Sequence, residues 1–218
     1  MIDFKYAVFD ADGTLFDSMQ MWGTFASEFV RCHGMNPKSN LDSAVAMLGY
    51  DAASKLLKKD YFHHLSCDQI KNMMNEHIAD FYENRVELKE GASDFLRALS
   101  QKGVKLAVAT ATDREIIKKA LKNCGVSEFF GAVVSCNDIG IAKKDSARVF
   151  EVAAEMLGGS KEEAVIFEDA LHAIKTAKRD GFRCFGIFDE FSKGDREEMQ
   201  KICEFYFDSW KQAKEKIL

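Results

Sequence analysis

With one proline in 218 residues, the chain has almost nothing that would hold it in rigid extended spacers. No segment repeats and none is of low complexity, which argues against a solenoid or a disordered linker architecture. The six cysteines, Cys32, Cys67, Cys124, Cys136, Cys184 and Cys203, include no C-x-x-C pair. They read as reduced thiols, several of them core residues, and not as a disulfide frame or a zinc site. Basic excess is also missing: the formal net charge is -5, so composition supports neither a nucleic-acid partner nor an acidic membrane surface. A small anion would need a local device to hold it, such as a divalent cation. No apolar run approaches a membrane-spanning length, and Met1-Ile2-Asp3-Phe4-Lys5 has no charged region leading into a long apolar stretch. The expectation is a soluble, cytoplasmic protein, monomeric or weakly dimeric. Neither G-x-x-x-x-G-K-[ST] nor G-x-G-x-x-G occurs, so nucleotide-binding loops have no motif behind them.

What is present is ample apolar material, 47% of the residues, in two patterns. The first is Tyr6-Ala7-Val8-Phe9, a short apolar run that ends abruptly at Asp10-Ala11-Asp12-Gly13-Thr14 and reads as a buried strand opening a site at its carboxyl end. From about Ser18 to Arg85 strand-like alternation is lost. Met19, Trp22, Phe25, Phe29 and Val30 recur at helical spacing, Gly34 and Pro37 give a stop signal, and Asp51 and Ser66 begin stretches that look like capped helices. The Met and aromatic stripes there are what any packed helix needs. From Gly91 onward helices alternate with short apolar runs: a helix at about 91–102, strands at 105–110 and 132–135, helices at 113–123 and 145–157, strands at 164–167 and 184–188, an edge strand at 204–207 and a last helix at 209–217. That alternation signals a parallel sheet built from βαβ units. The fold expected is therefore α/β, a Rossmann-like parallel sheet core (1–16 and 86–218) with an inserted all-helical domain (17–85).

In such a sheet ligands bind beyond the carboxyl ends of the strands. Four strand ends carry polar residues at that edge: Asp10 with Asp12, Thr110 with Thr112, the loop with Lys143 and Lys144, and Glu168 with Asp169. Taken singly, each has an ordinary reading. Asp-x-Asp-Gly is a polar turn, a threonine after a strand is a cap, adjacent lysines are a solvated loop, and Glu-Asp is a helix N-terminus. Taken together they make a site. Clustered carboxylates from two strand ends repel unless a cation sits among them, and hard oxygen donors suit Mg²⁺. A lysine and a hydroxyl opposite that metal would hold phosphate oxygens, and a carboxylate could attack phosphorus to form an aspartyl-phosphate that water hydrolyses.

The string from Asp10 to Ser18 resembles the first motif of the haloacid dehalogenase superfamily, Asp-x-Asp-Gly-Thr-Leu-x-Asp-Ser, with every fixed letter present. The resemblance implies that Asp10 is the nucleophile and a Mg²⁺ ligand. Asp12 would be the general acid/base and give its backbone carbonyl to the metal. Thr110, followed by Ala111, matches the second, phosphate-binding motif, and Lys144 the lysine of the third. Glu168 and Asp169 match the acidic, metal-binding fourth, with Asp169 the surer ligand. The third motif usually runs Lys-Pro-x-Pro-Asp, whereas Asp145-Ser146-Ala147-Arg148 follow Lys144 here. Lys143 therefore competes, and Lys144 is preferred because it keeps a six-residue distance to Phe150. The fourth motif often has Ser where this chain has Ala170. The helical insert resembles the C1-type cap of the subgroup containing phosphoglycolate phosphatase and β-phosphoglucomutase; there Met19, Met21, Trp22 and the turn Leu48-Gly49-Tyr50 are candidates to wall a leaving group. The activity implied is a Mg²⁺-dependent phosphatase acting on a small phosphorylated metabolite. A phosphomutase and a non-catalytic binding or regulatory protein are the rival readings, and dehalogenation suits the second acid and full metal site less well.

Overall fold

The computed structural model describes residues 4–46, 48–143 and 145–218. Two compact units result: residues up to Asp17 together with Val86–Leu218, and Ser18–Arg85. The first strand, β1 (Tyr6–Phe9), belongs to the larger unit.

The smaller unit holds α1 (Met19–Cys32), α2 (Leu41–Ala46), α3 (Tyr50–Asp60) and α4 (Cys67–Asn84). Ser66 starts α4 with a capping box: its hydroxyl accepts from the Gln69 N–H while the Gln69 side chain accepts from the Ser66 N–H, which satisfies two otherwise orphaned donors. Phe25 and Phe29, one helical turn apart on α1, stack on each other, and both meet the ring of His77 from α4 edge-on. The sequence pattern missed α2, whose six residues bury only Leu41.

In the larger unit the chain continues through α5 (Ala92–Gln101), β2 (Lys105–Thr110), α6 (Arg114–Asn123), β3 (Phe130–Ser135) and the one-turn α7 (Cys136–Ile139). It then runs through α8 (Arg148–Met156), β4 (Ala164–Glu168), α9 (Leu171–Arg179), β5 (Arg183–Ile187), α10 (Arg196–Ile202), β6 (Phe205–Phe207) and α11 (Trp210–Ile217). The six strands form one sheet in the order β3-β2-β1-β4-β5-β6, every neighbouring pair parallel. This is a Rossmann-like α/β fold. Side chains alternate between the faces of a strand, and here the two faces differ in kind. Val8, Ile166 and Cys184 lie in one cluster with Val149, Phe150 and Ala153 of α8, Ile174 and Ala177 of α9, and Met199 of α10. On the other face Phe9 stacks on Phe167 with ring centres 4.7 Å apart, and Phe95 of α5 and Trp210 of α11 close over them. The helix expected from about 145 begins only at Arg148, residues 145–147 being turn and loop, and α9 and α10 were not anticipated. Among the described residues no helix is long and apolar enough to cross a membrane, and all six cysteines are free.

Because β1 lies at the centre of a parallel sheet, its carboxyl end meets those of β2 and β4. Asp10 follows β1, Thr110 ends β2, Ser135 ends β3 and Glu168 ends β4.

Candidate active site

The loop after β1 is held in shape by contacts from across the larger unit. The Asp10 N–H continues the sheet ladder by donating to the Phe167 carbonyl at 2.9 Å. Gly13 then takes φ +79°, and a Cβ built there would lie 2.6 Å from Asp169 Oδ2. Only glycine provides both the left-handed turn and the close approach. Three side chains fasten the loop: the Thr14 hydroxyl donates to Asp169 Oδ1 at 2.8 Å, the Trp210 indole N–H to the Thr14 carbonyl at 3.0 Å, and the Lys89 ammonium to the Gly13 carbonyl at 2.6 Å. Lys89 spends its other donors on the Phe188 carbonyl and Asp189 Oδ2. Lys89 and Trp210 were not singled out from sequence. They act on backbone carbonyls far away in the chain, and no local pattern announces that.

Within this frame Asp10, Glu168 and Asp169 each bring one carboxylate oxygen to within 4.8 Å of the others, and all three are buried. The ammonium of Lys143, 6% exposed, enters the cluster and binds Asp10 Oδ1 and Glu168 Oε2, the latter at 3.0 Å. Lys144, the lysine preferred from sequence, lies outside the described residues. Lys143 also sits 5.2 Å from the centre of the Phe150 ring. Glu168 has both oxygens engaged, since Oε1 accepts the Ala170 N–H at 3.1 Å. Asp12 stands apart from the three: its Oδ2 accepts the Thr112 hydroxyl at 2.7 Å. Thr110 is fully buried and its oxygen takes the Thr112 N–H at 3.0 Å, while Ala111 is exposed at the bend between them. Among the residues considered in the helical unit, Trp22 donates its indole N–H to Tyr82 and Tyr50 its hydroxyl to Asn75, and Met21 is buried.

The electrostatics follow from burial. Desolvation, then the charge of Glu168, pushes the pKa of Asp10 well above the usual carboxylate range against the pull of Lys143. Asp169 is raised for the same reasons, burial first, then Glu168 and Asp10. Burial opposes the charge of Lys143, but Asp10 and Glu168 together outweigh it and hold the lysine above its ordinary value. One ammonium thus faces more carboxylate charge than it can balance. A hard, all-oxygen donor set with uncompensated negative charge fits a divalent cation of the Mg²⁺ type.

Comparison with known proteins agrees with the geometry. The haloacid dehalogenase-like hydrolase family matches residues 7–187. Pyrophosphatase PpaX of Halalkalibacterium halodurans is 26% identical over 84% of this chain and 82% of its own length. Validoxylamine A 7'-phosphate phosphatase of Streptomyces hygroscopicus subsp. limoneus is also 26% identical, over 84% of this chain and 85% of its own. The crystal structure of CbbY from Rhodobacter sphaeroides in complex with phosphate is similar in fold, with a TM-score of 0.74 at 21% identity, 95% of each chain being covered. The chain belongs to the haloacid dehalogenase-like hydrolases.

Proposed function

We propose that this protein is a Mg²⁺-dependent phosphatase that removes the phosphoryl group of a small phosphorylated metabolite by way of Asp10. The observation that carries the proposal is the buried set Asp10, Glu168 and Asp169 with the Lys143 ammonium bound inside it, at the carboxyl edge of a parallel sheet. The names of the phosphatases and the pyrophosphatase among the relatives support it.

In this reading Asp10 attacks phosphorus. The bond to Asp10 forms as the ester P–O bond breaks, and the departing oxygen takes a proton from Asp12. A water then attacks the phosphorylated Asp10, gives its proton to Asp12 and releases phosphate, which restores the Asp10 carboxylate and the protonated Asp12. Asp12 suits the proton-handling role because its carboxylate is outside the three-acid cluster and only partly buried. Lys143 lowers the repulsion between Asp10 and an incoming phosphate. Asp10 and Asp169, with the Asp12 backbone carbonyl, would hold the cation, Glu168 standing beside them. When bound, the cation supplies positive charge to the non-bridging phosphate oxygens. Thr110 and Ala111, at the end of β2, are assigned to phosphate contact.

The test is a panel of phosphorylated metabolites assayed with Mg²⁺ and with the metal chelated, including a sugar monophosphate with a bisphosphate activator. Phosphate release that requires Mg²⁺ is expected. Phosphoryl exchange between sugar positions without net release would instead assign a mutase, and turnover undiminished by chelation would contradict the metal requirement.

A further inference from the structure

We propose that Lys89 is a positioning residue for the cation site, a buried ammonium that staples the loop after β1 to the loop after β5 across the end of β4. This rests on the Mg²⁺ reading given above. Gly13 follows β1, Phe188 and Asp189 follow β5, and β4, which lies between those two strands in the sheet, ends in Glu168 and leads into Asp169. The Lys89 ammonium reaches both flanking loops: it donates to the Gly13 carbonyl at 2.6 Å, the Phe188 carbonyl at 2.6 Å and Asp189 Oδ2 at 2.9 Å. An ammonium has three protons to give, and all three are spent on these acceptors. The pair is shielded from water, the Lys89 side chain being 17% exposed and that of Asp189 6%.

An ion pair withdrawn from water is weak evidence for stability, because desolvation offsets most of what the pairing gains. What the staple holds points to another use. Gly13 must be glycine to take its φ of +79° beside Asp169, which makes it the loosest joint of the loop. It separates Asp12, whose carbonyl is assigned above to the cation, from Thr14, whose hydroxyl binds Asp169 Oδ1. The Gly13 N–H is tied within the loop, to the Phe16 carbonyl at 3.0 Å, and Lys89 ties the Gly13 carbonyl from outside it. Lys89 is itself anchored by its N–H, which donates to the Leu15 carbonyl at 2.8 Å. Asp189 is held in turn by the Phe191 N–H, which donates to Oδ1 at 2.9 Å. The staple thus fixes the joint between two residues that serve the cation. Groups that hold metal ligands from behind contribute about tenfold to a hundredfold in metal affinity.

The experiment measures Mg²⁺ binding by calorimetry, without substrate, on wild type, Asp189→Asn and Lys89→Met/Asp189→Asn, each shown to be folded by its melting curve. Asp189→Asn leaves the ammonium on both carbonyls and should bind Mg²⁺ nearly as tightly as wild type. The double variant leaves no unpaired carboxylate and should bind about tenfold to a hundredfold more weakly than Asp189→Asn. The Mg²⁺ concentration for half-maximal turnover of p-nitrophenyl phosphate should rise with it. Charge alone acts in the opposite direction, since removing a positive charge near the site favours a bound cation. Equal or tighter binding by the double variant would therefore overturn the assignment, as would a loss in Asp189→Asn as large as that in the double. If the double variant does not fold, Lys89→Met alone is measured in its place; failure of both to fold would make Lys89 structural and overturn the assignment as well. A wild type that binds no Mg²⁺ would sink the metal reading and this assignment together. A wild type that binds Mg²⁺ beside a double variant that binds it as tightly would sink this assignment alone.

Discussion

Replacing Lys143 by methionine keeps much of the side-chain volume and removes one buried positive charge. In the folded protein that charge is 6% exposed and bound to Asp10 and Glu168, so its loss leaves carboxylates packed together without their counter-charge. Breaking a buried pair by removing one partner costs about 3–5 kcal/mol. The lower end applies here, because Asp10 and Asp169 already lean towards their neutral forms. About 3 kcal/mol in a chain of this size lowers Tm by about 6–12 °C. Mg²⁺ should return part of that, since a cation in the cluster replaces some of the missing charge. The catalytic loss should be larger in proportion: removing a charge-assisted contact to the transferring group costs about a hundredfold or more in kcat. The assay is p-nitrophenyl phosphate hydrolysis beside a melting curve, with and without Mg²⁺, with Lys144→Ala as the comparison. Lys144→Ala within about threefold of wild type and Lys143→Met crippled is the expected pattern. A crippled Lys144→Ala beside a nearly normal Lys143→Met would refute the assignment.

Gly13→Ala must place a Cβ against the Asp169 carboxylate at a φ of +79°, so it should destabilise the fold by about 1–3 kcal/mol and raise the Mg²⁺ concentration needed for half-maximal activity; an unchanged Mg²⁺ requirement would count against Asp169 as a ligand. The His77 Nε2 is buried with no hydrogen-bond partner among the described residues, and burial, helped by Arg85, holds the His77 pKa below its ordinary value. Protonation therefore favours the unfolded state: the stability that neutral His77 contributes is complete above about pH 6.5 and is lost as the pH falls through the lower, folded-state value. Melting between pH 8 and pH 5 should show this decline, and His77→Phe, which sets a ring of similar size against Phe25 and Phe29, should flatten it.

The strand ends were legible because a central parallel strand is an uninterrupted apolar run that stops at the polar residues of the sheet's carboxyl edge. Tyr6–Phe9 into Asp10 and Ala164–Phe167 into Glu168 both read that way, and the two runs are hydrogen-bonded neighbours in the sheet. The lysine register was not legible. Residues 145–147 contain neither of the prolines that would fix the turn, so spacing to Phe150 was the only ruler; it favoured Lys144, which lies outside the described residues, while the ammonium described among the carboxylates is that of its competitor Lys143. Thr112 was visible only as a polar strand end, since its bond to Asp12 spans 100 residues. Lys89 and Trp210 support the loop through the Gly13 and Thr14 carbonyls, 76 and 196 residues distant. Contacts to backbone at such separations leave no trace in composition or periodicity.

The most direct test of the central claim is to look for the phosphoryl group on Asp10. Wild type and Asp10→Asn would be mixed with substrate and Mg²⁺, quenched in acid within a single turnover, and the peptide carrying residue 10 weighed by mass spectrometry. One added phosphoryl group is expected on that peptide in the wild type, sensitive to hydroxylamine as an acyl phosphate is, and neither adduct nor turnover in Asp10→Asn. Turnover by Asp10→Asn near the wild-type rate, or a phosphoryl adduct on some other residue, would contradict it.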